Sequence, residues 1–218
     1  MIKINFSLQK EEKAHQIIPV FESDIKDGTL KKLIKIDSIP DFKAEYNEIY
    51  SLLNPKTGIK TILVGLGTHG KSENISAAVR KAVFNNRKLA GKIEINLTRF
   101  NDEIIDQIII GATLGTYNLT VFKQLDKKKE ISAINFVIDA KDNKELIKKS
   151  SIQAKSMMNV MDLVNKPSNL KTPFYLADYA EESARKNGFD ISVIRGEDVL
   201  NENLHALYAV GKGSKNPP

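Results

Sequence analysis

No cysteine occurs among the 218 residues. That absence excludes disulfides, zinc–thiolate centres, iron–sulfur clusters and a cysteine nucleophile. No run approaches the roughly 18 consecutive apolar residues that a membrane-spanning helix needs. The N-terminal stretch carries Glu11, Glu12 and Glu22 and no apolar segment of secretory type. Together these features predict a soluble, cytoplasmic protein with no membrane partner. Histidine is scarce: His15, His69 and His205 stand far apart and show neither HExxH nor His-x-His spacing. Surface or turn positions suit them, and only His69, beside glycines, sits where it could act. No GxSxG elbow is present, and the carboxylates form no clustered acid/base or metal motif.

Charge adds a second exclusion. The 33 basic and 27 acidic residues leave a net +6. The lysines fall in runs such as "LKKLIK", "DKKKE" and "ELIKKSS", each mixed with acids or apolar residues. Solvated helix faces and loops look like this, whereas a nucleic-acid stripe wants more arginine and interleaved aromatics. Nucleic acid is therefore not an expected partner. With 41% hydrophobic and 28% charged residues, the chain is ordinary for a globular protein with a sizeable core.

The first 140 or so residues alternate strand-like and helix-like patterns. "IKINFSL" (2–8), "QIIPVFE" (16–22), "KIEINLT" (92–98) and "ISAINFVID" (131–139) are short, β-branched and aromatic-rich, so they read as strands. Residues 47–67 read as two strands around the turn Asn54-Pro55-Lys56-Thr57-Gly58. Ile75, Ala78, Val79, Ala82, Val83 and Leu89 fall at helical spacing, with Ser72 as N-cap and Gly91 as the stop. Ile104, Ile105, Ile108, Ile109 and Ala112 form a second helical stripe. On it, Gly111 and Gly115 leave a smooth patch for close approach of a neighbour. The pattern predicts an α/β fold: a three-layer domain with a mixed sheet and helices on both faces.

From Asp142 the texture changes. Leu146 to Val164 make one long helix ended by Pro167; Thr172-Pro173 opens another, which Asn187-Gly188 closes. "FDISVIRG" (189–196) and "ALYAVG" (206–211) read as strands, with a short helical turn at "EDVLNEN" between them. The predicted organisation is an N-terminal α/β domain over 1–141, a linking helix over 142–165 and a third segment over 166–218.

One motif invites a cofactor. Gly65-Leu66-Gly67-Thr68-His69-Gly70 is a literal GxGxxG between a strand and a helix, the setting of a dinucleotide fingerprint, which would seat a pyrophosphate on the helix N-terminus. The same glycines serve a tight strand-to-helix turn with no ligand. Lys71-Ser72-Glu73 places an acid where the phosphate would lie, and strands precede the motif, which favours the turn. A nucleotide- or ADP-ribose-binding module using the 65–72 loop stands as the alternative function. Met157, Met158 and Met161 share one helical face and read as core or interface filler. Gly211-Lys212-Gly213-Ser214 lacks P-loop spacing and runs into prolines instead of a helix.

"MDLVNKPSNLKTPFYLADYAEESARKNGFDISVI" (161–194) followed by "ALYAVGKGSKNPP" (206–218) resembles the leucyl (cytosol) aminopeptidase family of dinuclear metallopeptidases. The resemblance rests on Asp162, Leu163, Val164, Asn165, Pro167, Asn169, Thr172, Pro173, Leu176 and Ala177, then on Ala206, Leu207, Ala209, Val210, Gly211, Gly213, Ser214, Pro217 and Pro218. Met161 stands where the family has arginine, and Lys212 where it has glutamine. The resemblance implies a macro-domain-like N-terminal domain and, from 166, the truncated start of an α/β catalytic domain. It further implies a hexameric enzyme that removes N-terminal residues from peptides with two divalent ions, zinc or manganese. The family's lysine, aspartate and glutamate ligands lie in blocks beyond this chain. No catalytic, metal or cofactor-binding residue is therefore expected within it, and Lys212 belongs to the earlier "AVGQGS"-type block. The expectation is a chain inactive alone, whose N-terminal domain serves assembly and access control.

Overall fold

The computed structural model describes residues 2–11, 13–36, 39–68, 75–118 and 130–215. Apolar and β-branched runs become strands: β1 (Lys3–Ser7), β2 (His15–Val20), β3 (Ile49–Leu53), β4 (Lys60–Gly65), β5 (Gly91–Asn96) and β6 (Ile131–Val137). They form one sheet in the order β1-β6-β5-β2-β4-β3. Neighbours run parallel except β3, which folds back antiparallel on β4. The sheet is mixed, as expected. Asn54 shapes the hairpin turn: its Oδ1 accepts from the N–H groups of Lys56 and Thr57 at 3.0 and 3.3 Å, and Gly58 takes φ 69°.

Parallel strands need crossovers; helices supply those that follow β4 and β5, whereas the chain passes from β1 to β2 without one. On one face lie α3 (Ile75–Asn86) and α4 (Asp102–Gly115), whose apolar stripes cover Ile62, Val64, Ile93, Ile95, Ile134 and Phe136. The glycines of α4 do what their spacing predicts. A Cβ on Gly111 would lie 2.3 Å from the Ser76 carbonyl oxygen, and one on Gly115 would lie 2.6 Å from Val83 Cβ. The two helices pack at a separation that leaves no room for a side chain at either position.

The opposite face carries two helices that periodicity does not reveal, α1 (Glu22–Lys26) and α2 (Thr29–Ile34). Segments of five and six residues are too short to show a helical stripe. Leu30, Phe42 and Ala44 close this layer over Val20 and Leu63. Over β5 the same face carries Lys92, Glu94 and Asn96, and β6 adds Asn135 between the buried Ala133 and Val137; the 9–11 segment meets the two buried polar groups. Buried Glu94 accepts from the Glu11 N–H at 2.7 Å, and buried Asn135 donates to the Gln9 carbonyl at 3.2 Å.

The long predicted helix is α5 (Lys144–Asn165). Leu146 and Ile147 pack against the larger core, and the fully buried Ser150 donates to Asp106 of α4 at 2.5 Å. The chain divides into two compact units, Met1–Val160 and Met161–Pro218.

In the second unit α6 (Pro173–Asn187) starts and stops where the sequence predicts. Thr172 Oγ1 accepts from the Tyr175 N–H at 3.2 Å, and Gly188 ends the helix at φ 73°. The short turn is α7 (Asp198–Asn201). Both strands expected here are absent. Residues 189–194 are irregular, and 206–211 lie within α8 (His205–Gly211). A strand needs neighbours for its backbone groups, and the described residues of this unit include none. A helix bonds to itself: the N–H groups of Tyr208 and Lys212 donate to the carbonyls of Leu204 and Tyr208 at 3.1 and 2.8 Å. Gly91 likewise opens β5 rather than stopping α3, which ends at Asn86. Ser72 and His69 fall outside the described residues.

Candidate functional site

In a doubly wound sheet, ligands bind beyond the carboxyl ends of the strands, where successive crossovers diverge. Here that place lies beside β2. Strand β4 pairs on one side of it, and the crossover through α3 returns to β5 on the other. Three loop starts converge there, at residues 21–24, 65–68 and 97–100.

The glycine loop spends its backbone on the protein itself. The N–H groups of Gly65, Leu66 and Gly67 donate to the carbonyls of Glu48, Val20 and Ala44 at 2.8, 2.8 and 2.9 Å. The Gly67 carbonyl accepts from the Glu22 N–H at 3.1 Å. A Cβ on Gly65 would sit 2.0 Å from the Glu45 carbonyl oxygen, while Gly67 takes φ 75° beside Tyr46. The first glycine admits the passing 44–48 segment and the second admits a left-handed turn. No N–H over 65–67 points free for a phosphate. His69, Gly70 and residues 71–74 lie outside the described residues.

Beside this loop an ion pair fills the crevice. Arg99 Nη1 donates to both carboxylate oxygens of Asp24, at 2.9 and 3.0 Å, and Nη2 donates to the Pro19 carbonyl. Asp24 Oδ2 also accepts from the Phe21 N–H at 2.8 Å. The guanidinium stacks 4.2 Å from the Phe100 ring centre, and Phe21 meets that ring edge-on. A charge-assisted latch therefore ties the chain after β5 to the end of β2. It leaves neither group free to act as acid, base or anion binder. Sequence reasoning passes over both residues, because 75 positions separate them and nothing local marks them as partners.

The other singled-out residues are not brought together. His15 Nδ1 accepts from the Lys60 N–H at 2.9 Å and Nε2 faces the Ala90 carbonyl at 3.2 Å, so its ring bridges backbone. His205 is exposed at the start of α8, and Lys212 is exposed just past its end. Met157 is exposed, while Met158 and Met161 are half-buried. Among the described residues, no group of three or more His, Asp or Glu could hold a metal ion. None of their helices is long and apolar enough to cross a membrane.

The second unit presents a groove of about 550 Å³ between α6 and α8, lined by Phe174, Ala177, Ile194, Leu207 and Val210. Its cations are already engaged. Arg195 meets Asp178 at 2.9 Å and Glu181 at 3.2 Å. The hydrogen bond to Asp178, and then the charge of Glu181, raise its pKa further. Lys171 Nζ donates to the Val164 carbonyl at 3.2 Å. Leu170, Phe174, Phe189 and Leu207 are exposed, and Val210 is 84% exposed. The described residues of the unit thus present an apolar surface.

Residues 159–218 match the catalytic domain of the cytosol aminopeptidase family. A probable cytosol aminopeptidase of Aquifex aeolicus (strain VF5) is 29% identical over 212 residues, spanning 91% of this chain and 43% of that protein. Another, of Persephonella marina (strain DSM 14350 / EX-H1), is 32% identical over 171 residues, 72% of this chain and 34% of that protein. The chain belongs to the cytosol aminopeptidase family. It spans less than half the length of the curated relatives it matches. The fold agrees with solved structures of this type. A mutant of tomato leucine aminopeptidase superposes with a TM-score of 0.77 at 19% identity, covering 100% of this chain and 49% of that one. The bottromycin maturation enzyme BotP, in a complex with Mn, gives 0.70 at 20% identity, covering 94% and 43%. Cytosol aminopeptidase similarity runs through nearly the whole chain, whereas the nucleotide-module alternative finds no support in the described part of the glycine loop, residues 65–68.

Proposed function

We propose that this chain is the N-terminal part of a cytoplasmic, metal-dependent aminopeptidase that removes N-terminal residues from peptides. Residues 1–141 form its assembly and access-control domain, 142–165 the linking helix and 166–218 the start of the catalytic domain. The observation that carries this reading is the catalytic-domain match confined to residues 159–218, in a chain covering only about two fifths of its relatives. The exposed apolar side chains of the second unit suit a surface that more of a catalytic domain would cover. The described residues do not fit a pair of divalent ions, since no three potential ligands converge. In this proposal, the family resemblance assigns the zinc or manganese that such an enzyme uses to residues outside this chain. Hexameric assembly, with peptides as substrates, completes the proposal.

The test is hydrolysis of leucine p-nitroanilide by the 218-residue chain with added Mn²⁺ or Zn²⁺. The expected result is no turnover above the metal-only blank. Metal-dependent, chelator-sensitive hydrolysis would overturn the assignment of catalysis to residues elsewhere.

A further inference from the structure

The sheet ends on one side at β3, and the hairpin register shows which of its backbone groups are unused. The Asn54 N–H donates to the Ile59 carbonyl at 2.9 Å, and the Gly65 N–H donates to the Glu48 carbonyl at 2.8 Å. In an antiparallel ladder, hydrogen-bonded pairs alternate with non-bonded ones. With Ile49 opposite Val64, the bonded positions on β3 are therefore Tyr50 and Leu52. Ile49, Ser51 and Leu53 direct their N–H and C=O groups outward, and no described residue meets them. Leu53 is 65% exposed and Ser51 is also exposed.

Proteins usually protect such an edge with lysine, proline or a bulge inside the strand. At the other end of the sheet, β1 carries Lys3. Strand β3 reads IYSLL, with no charge and no proline. We infer that β3 is a self-association edge, pairing antiparallel with β3 of a second copy about a two-fold axis through Ser51.

That register uses all three outward-facing residues. Ile49 faces Leu53 of the other copy, Ser51 faces its own counterpart, and on the opposite face Tyr50 meets Leu52. Each cross-strand pair is apolar with apolar, or hydroxyl with hydroxyl. The flanks differ in charge: the approach to β3 (43–48) carries Glu45 and Glu48 against Lys43, a net −1, with the Glu48 carboxylate accepting from the Lys43 and Glu45 N–H groups, and the exit carries Lys56. A head-to-head pairing sets the acidic end of one strand beside the basic end of the other. The apolar groove beside the edge, lined by Leu33, Ile34, Ile36, Leu52 and Leu53, would lie at the new seam. The interface is isologous, so it closes at two copies.

This inference rests on the assembly role proposed above and names its contact. The cysteine-free sequence makes a direct test possible. A bonded antiparallel pair places its Cα atoms about 5.5 Å apart, within the span a disulfide bridges. Ser51→Cys should therefore cross-link to a covalent dimer under mild oxidant, while Lys88→Cys, also exposed, should not. Sedimentation of the unaltered chain should show concentration-dependent dimers, and Ser51→Lys should shift it to monomer with an unchanged melting curve. Should the chain associate while Ser51→Cys cross-links no faster than Lys88→Cys, the edge is refuted and the assembly role stands. A chain that stays monomeric at high micromolar concentration overturns both.

Discussion

The close backbone approach between α3 and α4 can be challenged by a single methyl group. In Gly111→Ala the new Cβ would lie 2.3, 2.8 and 2.9 Å from the O, Cα and C atoms of Ser76, all backbone. No side chain can swing away, so α4 must retreat from α3 by about 1 Å to restore ordinary contact. Ala78, Val79, Ala82, Ile108 and Ala112, all fully buried, line the two helices. A gap of that size forfeits a quarter to a half of the dispersion attraction at each contact. Overpacking of this kind costs about 3 kcal/mol. Alanine returns roughly 1 kcal/mol through its better helix propensity, so the net loss is about 2 kcal/mol. The melting temperature should fall by roughly 4–8 °C. Circular dichroism melts, with urea unfolding as a second probe, measure it. Gly213→Ala, whose Cβ would meet nothing within 4 Å, serves as the control and should change little. A Gly111→Ala protein as stable as the parent would refute the close-packing argument, because propensity alone would then have decided the outcome.

Removing the Arg99 side chain with Arg99→Met strands the Asp24 carboxylate, whose side chain is only 10% exposed. We expect a loss of about 2 kcal/mol, less than a fully buried pair would cost because Arg99 is partly solvated. Adding Asp24→Asn should recover part of it in a double-mutant cycle, and additive losses would count against the latch. Asp27 accepts from the Thr29 N–H at 2.9 Å, and that backbone hydrogen bond lowers its pKa below the ordinary 3.8. A depressed carboxylate stabilises above its unfolded pKa, and that contribution fades as pH falls through the folded value. The Thr29 amide signal should therefore titrate with a midpoint below 3.8, and a midpoint at or above it would remove the bond from solution.

Much of the architecture was legible because it is written in short-range pattern. The β-branched runs at 2–8, 92–98 and 131–139 became strands, since extended apolar segments of that length have few other ways to bury themselves. Gly111 and Gly115 foretold a close helix contact through their spacing, and Thr172-Pro173 and Gly188 marked both ends of α6. The family was legible for a related reason: two ordered blocks of residues in one chain form a specific signature even where no side chain reacts.

Tertiary structure decided whatever depends on a distant partner. "ALYAVG" can be strand or helix, and it is α8, with no neighbouring strand among the described residues of its unit to receive its backbone. For Gly65 and Gly67 the sequence favoured a turn over a phosphate cradle, and the 44–48 segment decides it by taking up their N–H groups. Arg99 and Asp24 meet only because the sheet places β5 beside β2. Local propensity sets which elements form, and long-range hydrogen bonding and packing set the roles those elements take.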